Sequence, residues 1–230
     1  KESVSKISRG DLVSYMERQY AAQNTIVCLA GKIDTLRAVH KVRQYFSKIK
    51  NKKLLLKPKV IERQTRPECL LQEKKTDQTH FCLGCRAYNL FHPKRYAQEV
   101  LSVILGGMMS SRLFIEVREK LGLAYYISTS DEADSDTGYV VTQAGVDNRK
   151  ADKAISVILK EYKKIAQKRV PLPELKKAKD YIKGKMALLL ETSDAQASFF
   201  GAQELLEKKI LSPEQIYQKI DKVSQDDILK

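Results

Sequence analysis

Residues 106–126, GGMMSSRLFIEVREKLGLAYY, constrain the fold more tightly than any other stretch of this chain. Gly106-Gly107 ends one helical pattern, and Ser110 or Ser111 is placed to cap the next. Gly122 stands where a helix C′ glycine belongs, and the alternation from Leu123 onward reads as strand. Helix, tight loop, helix and strand therefore succeed one another with almost no connecting chain.

The remaining elements fit around that junction. Ser8, with Asp11 at the capping-box position, predicts a helix over about 9–20. Residues 25–30 are a short apolar run and a candidate buried strand. Residues 34–49 have helical spacing at Leu36, Val39, Val42, Tyr45 and Phe46. Next comes a basic stretch with Pro58 in it and Pro67 just after. Two strands are expected at about 68–75 and 78–88, and Pro93 opens a helix reaching about Leu105. Strands 123–129 and 138–146 should form a hairpin around the acidic turn 131–136. Four helices close the chain: 149–167, about 173–191, one capped by Ser193 with Gln196, and one opened by Ser212-Pro213-Glu214-Gln215. Strands paired as hairpins among helical segments indicate an α+β fold, a mostly antiparallel sheet covered by helices on one face.

The formal net charge of +14 invites a nucleic-acid reading. The charge is placed against it. Lys48, Lys50, Lys52, Lys53, Lys57, Lys59, Arg63 and Arg66, against Glu62 alone, fall in the linker-like segment, and most of the rest spread over helix faces. Aromatic residues are not interleaved with them as base stacking requires. No apolar run approaches the roughly 20 residues of a membrane span, and no signal-peptide pattern opens the chain. Lys1 in place of Met reads as a cut or processed piece.

Cys82-Leu-Gly-Cys85 has C-x-x-C spacing, with His80 before it and Cys69 upstream. On a strand these thiols diverge unless Gly84 makes a bulge, whereas a zinc knuckle needs both on one turn. Small buried strand residues in a reducing, cytoplasm-like compartment are the better reading.

The two ends of the chain match each other. Lys6-Ile7-Ser8-Arg9-Gly10-Asp11-Leu12-Val13 aligns with Lys222-Val223-Ser224-Gln225-Asp226-Asp227-Ile228-Leu229, an offset of 224 − 8 = 216 residues. Such a match points to a duplicated protein, with the tail of one repeat and most of the next present here.

The order of elements at 105–126, supported by Glu174-Leu175-x-x-Ala178-Lys179 and by Glu191-Thr192-Ser193, resembles the second half of the pitrilysin/insulinase-type zinc metallopeptidases. That family includes the mitochondrial processing peptidases. The resemblance covers nearly the whole chain and implies homologous α+β halves joined by a flexible linker. On that mapping residues 1–48 are the tail of the preceding half, 49–66 the basic linker, and 67–230 the second half without its last strand and helix. The catalytic signature H-x-x-E-H is absent. His40, His80 and His92 are isolated, and Glu99, Glu116 and Glu119 read as ordinary surface carboxylates.

What the second half contributes, by the resemblance, is an Arg and a Tyr seven residues apart, here Arg118 and Tyr125. The Arg ends a helix and the Tyr begins the next strand. Both can donate hydrogen bonds to a peptide carbonyl or to the oxyanion forming at the facing half's zinc. Arg112 reads as structural, and Tyr126 should point to the opposite face from Tyr125. The glycine region, Gly106, Gly107 and Met108, corresponds to a loop implicated in handling substrate. The expectation is a non-catalytic, substrate-binding half holding no metal or cofactor, with zinc in a partner catalytic half of the same protein or a separate subunit. Its other expected partner is a peptide substrate, not nucleic acid. As a fragment it could also form a domain-swapped homo-oligomer through the 9–48 segment. The rivals are a catalytically dead scaffold of the same family, a basic nucleic-acid-binding domain and a Cys/His zinc module.

Overall fold

The computed structural model describes residues 2–230. In chain order the elements are α1 (Glu2–Ser5), α2 (Arg9–Gln19), α3 (Thr35–Phe46), β1 (Gln78–Arg86), α4 (Arg95–Ser102), β2 (Ala124–Ala133), β3 (Gly138–Asp147), α5 (Ala151–Gln167), α6 (Leu172–Leu189), α7 (Ser193–Leu206), α8 (Pro213–Asp221) and α9 (Gln225–Leu229). Two π-helical segments, Val103–Gly107 and Phe114–Lys120, lie between α4 and β2. The chain forms two compact units. Residues up to Lys59 group with Leu188–Leu211, and Val60–Ala187 group with Ser212–Lys230. The boundary after Lys59 falls inside the basic stretch 49–66.

In the first unit the capping box forms as its residues dictate. The Ser8 hydroxyl accepts the Asp11 N–H at 3.2 Å, and the Asp11 carboxylate accepts the Ser8 N–H at 2.8 Å. Residues 25–30 come after a 3-10 turn at Ala22–Asn24 and form no ladder. They are not the buried strand their composition suggests, since Ile26, Val27 and Leu29 are all exposed. The N-cap of α7 is Thr192, not Ser193; its hydroxyl accepts the Ala195 N–H at 3.4 Å. Buried Gln203 closes the loop after α7 by bonding both backbone groups of Leu211, at 2.9 and 3.2 Å.

The second unit is built on an antiparallel sheet of order β1-β3-β2. On β3, Val140, Thr142, Ala144 and Val146 are buried on one face, while Tyr139 and Gln143 on the other are exposed. Ile127 and Thr129 of β2 share the buried face, against Ile104, Leu113 and Val117 from the helical segments and Ile158 from α5. Helices thus cover one face only, as expected of this α+β pattern. Inside it, the Thr129, Thr142 and Tyr162 hydroxyls form a chain with links of 2.6 Å, which satisfies three polar groups among apolar neighbours.

Three further local readings are corrected. Residues 68–75 form no strand, and Leu70 is 99 % exposed; no strand among the described residues pairs with them. β2 runs on to Ala133, so the acidic turn shrinks to 134–137, and Asp131 is held inside the ladder by the Ser102 hydroxyl at 2.8 Å. Neither Ser110 nor Ser111 caps the next helix. The Ser111 hydroxyl is buried and makes no hydrogen bond among the described residues.

Candidate substrate-contact site

The junction between the second π-helical segment and β2 is pinned from three sides. Gly122 adopts φ +54°, the left-handed conformation that lets the chain reverse out of the helix. The Leu123 N–H then bonds the Val117 carbonyl at 2.9 Å, and Lys150 Nζ donates to the Gly122 carbonyl at 3.0 Å. A rigid corner results, and Arg118 and Tyr125 stand on its two arms.

Arg118 lies in the last turn of Phe114–Lys120, exposed, its guanidinium 4.8 Å from the Phe114 ring centroid. Stacking on the ring restrains the side chain while leaving its N–H groups facing water. Tyr125 occupies a β-bulge. The register passes from Ala124 opposite Val146 to Tyr126 opposite Gly145, so Tyr125 is the extra residue, and it is 59 % exposed.

The bulge also corrects the orientation expected for Tyr126. In an unbroken strand it would face the core; here it shares the open side with Tyr125, between buried Ala124 and Ile127. Its hydroxyl lies 3.2 Å from His80 Nδ1. Gly145, directly between them on β3, makes that contact possible. A Cβ there would come within 2.5 Å of the Tyr126 ring and 3.2 Å of the His80 ring. Beside this pair, Arg149 donates to Asp147 at 3.2 Å. The pairing holds the Asp147 carboxyl below its ordinary value and the Arg149 guanidinium above its own, to which the nearby Tyr125 adds slightly.

The remaining singled-out residues sit apart. Arg112 is engaged in a two-pronged ion pair with Glu174, at 2.8 and 2.7 Å. Gly106 and Met108 are buried, and Gly107 partly so; Met109 is the exposed residue of the loop, at 75 %. Glu99 is no ordinary surface carboxylate. Burial first, then the charge of Asp131, push it up to about 7, against the pull of Arg95 and Lys185. One turn of helix joins Glu99 to Ser102, but only the fold brings Asp131 beside them, so the sequence carries no sign of it.

The donor set does not fit zinc. Among the described residues, no three His, Cys, Asp or Glu side chains converge. His92 stacks on Tyr88 at 3.8 Å and accepts the Lys94 N–H, while His80 is engaged by Tyr126. No helix among them is long and apolar enough to cross a membrane.

Residues 6–182 match the family described as the Peptidase M16 inactive domain. An uncharacterized zinc protease of Mycobacterium leprae is 32 % identical over 231 residues, covering 99 % of this chain and 52 % of its own length. One of Bacillus subtilis is 28 % identical over 223 residues, covering 97 % and 54 %. The crystal structure of a protease from Helicobacter pylori superposes with a TM-score of 0.89 at 21 % identity, over 99 % of this chain and 56 % of that one. The chain spans about half the length of the relatives it matches. A sheet covered on one face, a pinned helix–strand corner and, among the described residues, no metal-binding cluster accord with that match, and the chain belongs to the M16 peptidase family, as its inactive domain.

Proposed function

We propose that this domain binds substrate for a zinc endopeptidase whose metal and attacking water belong to another, homologous half. The observation that carries the reading is the corner itself. Arg118 and Tyr125 stand on adjoining arms of a rigid turn, exposed, and neither is drawn into an ion pair or hydrogen bond with the described residues. A guanidinium and a phenol so held can each donate to a peptide carbonyl, and more strongly to the oxyanion it becomes. Their rigidity limits the ordering cost when the substrate arrives. Metal chemistry is supplied from outside this chain.

The test is made in the full-length protein. Arg118→Ala and Tyr125→Phe should each lower turnover on the order of 10²-fold, while folding stability changes by under about 1 kcal/mol. An active enzyme indifferent to both substitutions would remove the assignment.

A further inference from the structure

The segment that carries Arg118 is not an α-helix. Over Phe114–Lys120 it is π-helical, a wider form bonded five residues back that seldom persists beyond a turn and recurs at functional sites. Its register decides where Arg118 points. Each residue of an α-helix adds about 100° around the axis, so a slip of one residue between the two forms would swing the guanidinium about that far.

Both ends of the segment are fastened by other elements. Beyond its last turn stands left-handed Gly122, whose carbonyl is held by Lys150. Ahead of its first turn the fastening comes from α6. Arg112 donates from Nε and Nη2 to the two carboxylate oxygens of Glu174, at 2.8 and 2.7 Å. Lys177 Nζ, one turn further along α6, donates to the Ser110 carbonyl at 2.9 Å. The Arg112 and Glu174 side chains are only 19 and 20 % exposed, so water competes weakly for the fork. The Glu174 hydrogen bond first, then the charges of Glu174 and of Glu161 on α5, hold the guanidinium above its ordinary value against the effect of burial. Two residues past Arg112 comes Phe114, the ring on which Arg118 stacks. A planar two-pronged fork fixes direction as well as distance, which a lysine in its place would not.

We propose, resting on the reading of Arg118 as a substrate contact, that the Arg112–Glu174 fork is the positioning device for that contact. It ties the start of the segment to α6 and keeps the π register between two fixed ends. The Arg118 guanidinium is thereby aimed from its arm of the corner at the carbonyl that reacts. Neither Arg112 nor Glu174 touches substrate; both act through Arg118.

The test uses the full-length protein and a quenched-fluorescence peptide that it cleaves. Arg112→Lys keeps the charge but loses the fork, and Glu174→Gln leaves one acceptor for two donors. Each should lower kcat between about 10- and 10²-fold, with a smaller change in KM, under conditions where circular dichroism shows the variant folded. Combined, they should lose no more than either alone, since one fork is broken once. With Arg118→Ala in place, Arg112→Lys should change kcat by less than about twofold, whereas a general structural defect would multiply the two losses. Independently of turnover, amides of Phe114–Lys120 should exchange faster in both fork variants, while those of β3 do not. Unaltered kcat in Arg112→Lys beside an impaired Arg118→Ala would overturn the positioning role and leave the substrate contact standing. Losses that multiply, a Glu174→Gln variant with full kcat, or unaltered exchange would overturn it equally. Unaltered kcat in Arg118→Ala would remove the substrate contact itself, and its positioning device with it.

Discussion

Two glycines and one carboxylate show how much a single atom or proton decides here. Gly106 lies so close to β2 that a Cβ would come within 2.3 Å of Thr129 Oγ1 and 2.7 Å of its backbone nitrogen. The backbone of a paired strand cannot step aside, so Gly106→Ala should cost about 1–3 kcal/mol by overpacking. At Gly107 the nearest atom is a valine methyl at 3.0 Å, and the same change should cost less. Denaturant midpoints of the two variants check the order; equal midpoints would show that the segment gives way as a whole. Glu99 makes the complementary case through a proton. Its folded value, about 7, exceeds the ordinary 4.5, so between those limits the folded state keeps a proton that the unfolded chain releases. Its contribution to stability is present below pH 4.5, lost as the pH rises to about 7, and constant above. Glu99→Gln should flatten that slope and raise stability at pH 8 by on the order of 2 kcal/mol. Parallel pH profiles for the two proteins would show that burial and Asp131 exert no net effect at this site.

At the scale of elements, what is legible in the sequence depends on how local the cause is. Helix starts written as Ser-x-x-Asp or Ser-Pro-x-Gln appear where their residues place them, at Ser8, Ser212 and Ser224, because the hydrogen bonds close within four residues. The left-handed Gly122 at the end of the Arg118 segment is legible for the same reason. Strands are another matter. Residues 68–75, 25–30 and 78–88 all read as strands, yet of these only the last finds a partner among the described residues, over 78–86, and pairing is a property of distant residues. The candidate site divides along the same line. The local pattern puts position 118 at a helix end and 125 at a strand start, but it is the family resemblance that singles out Arg118 and Tyr125. The bulge that frees Tyr125 and turns Tyr126 toward His80 is accommodated because Gly145 lies opposite, about twenty residues along the chain, a relation no local pattern displays. The consecutive tyrosines are the one available hint, since an unbroken strand would bury one of them.

For the whole molecule, charge and metal chemistry turn on placement, not on amount. Behind the net charge of +14, several cations are engaged by carboxylates or carbonyls. Arg112 pairs with Glu174, Lys183 with Asp221 and Arg169 with Asp226, while Lys150 and Lys179 bond backbone carbonyls. Surface pairs of this kind contribute little to stability. Metal chemistry obeys the same logic. Zinc in a hydrolytic site takes three protein ligands at about 2 Å in near-tetrahedral array. Here the three histidines belong to separate segments, two of them already engaged by tyrosine rings, and the four cysteines are unpaired and dispersed. The isolated domain, dialysed against zinc and then freed of loose metal, should therefore retain far less than one equivalent and hydrolyse no peptide. The full-length protein should retain zinc and lose it, with its activity, to a chelator, while the melting temperature of the isolated domain stays unchanged by the same chelator. One tightly held zinc per isolated chain, with hydrolysis surviving repurification, would mean that this half carries chemistry of its own.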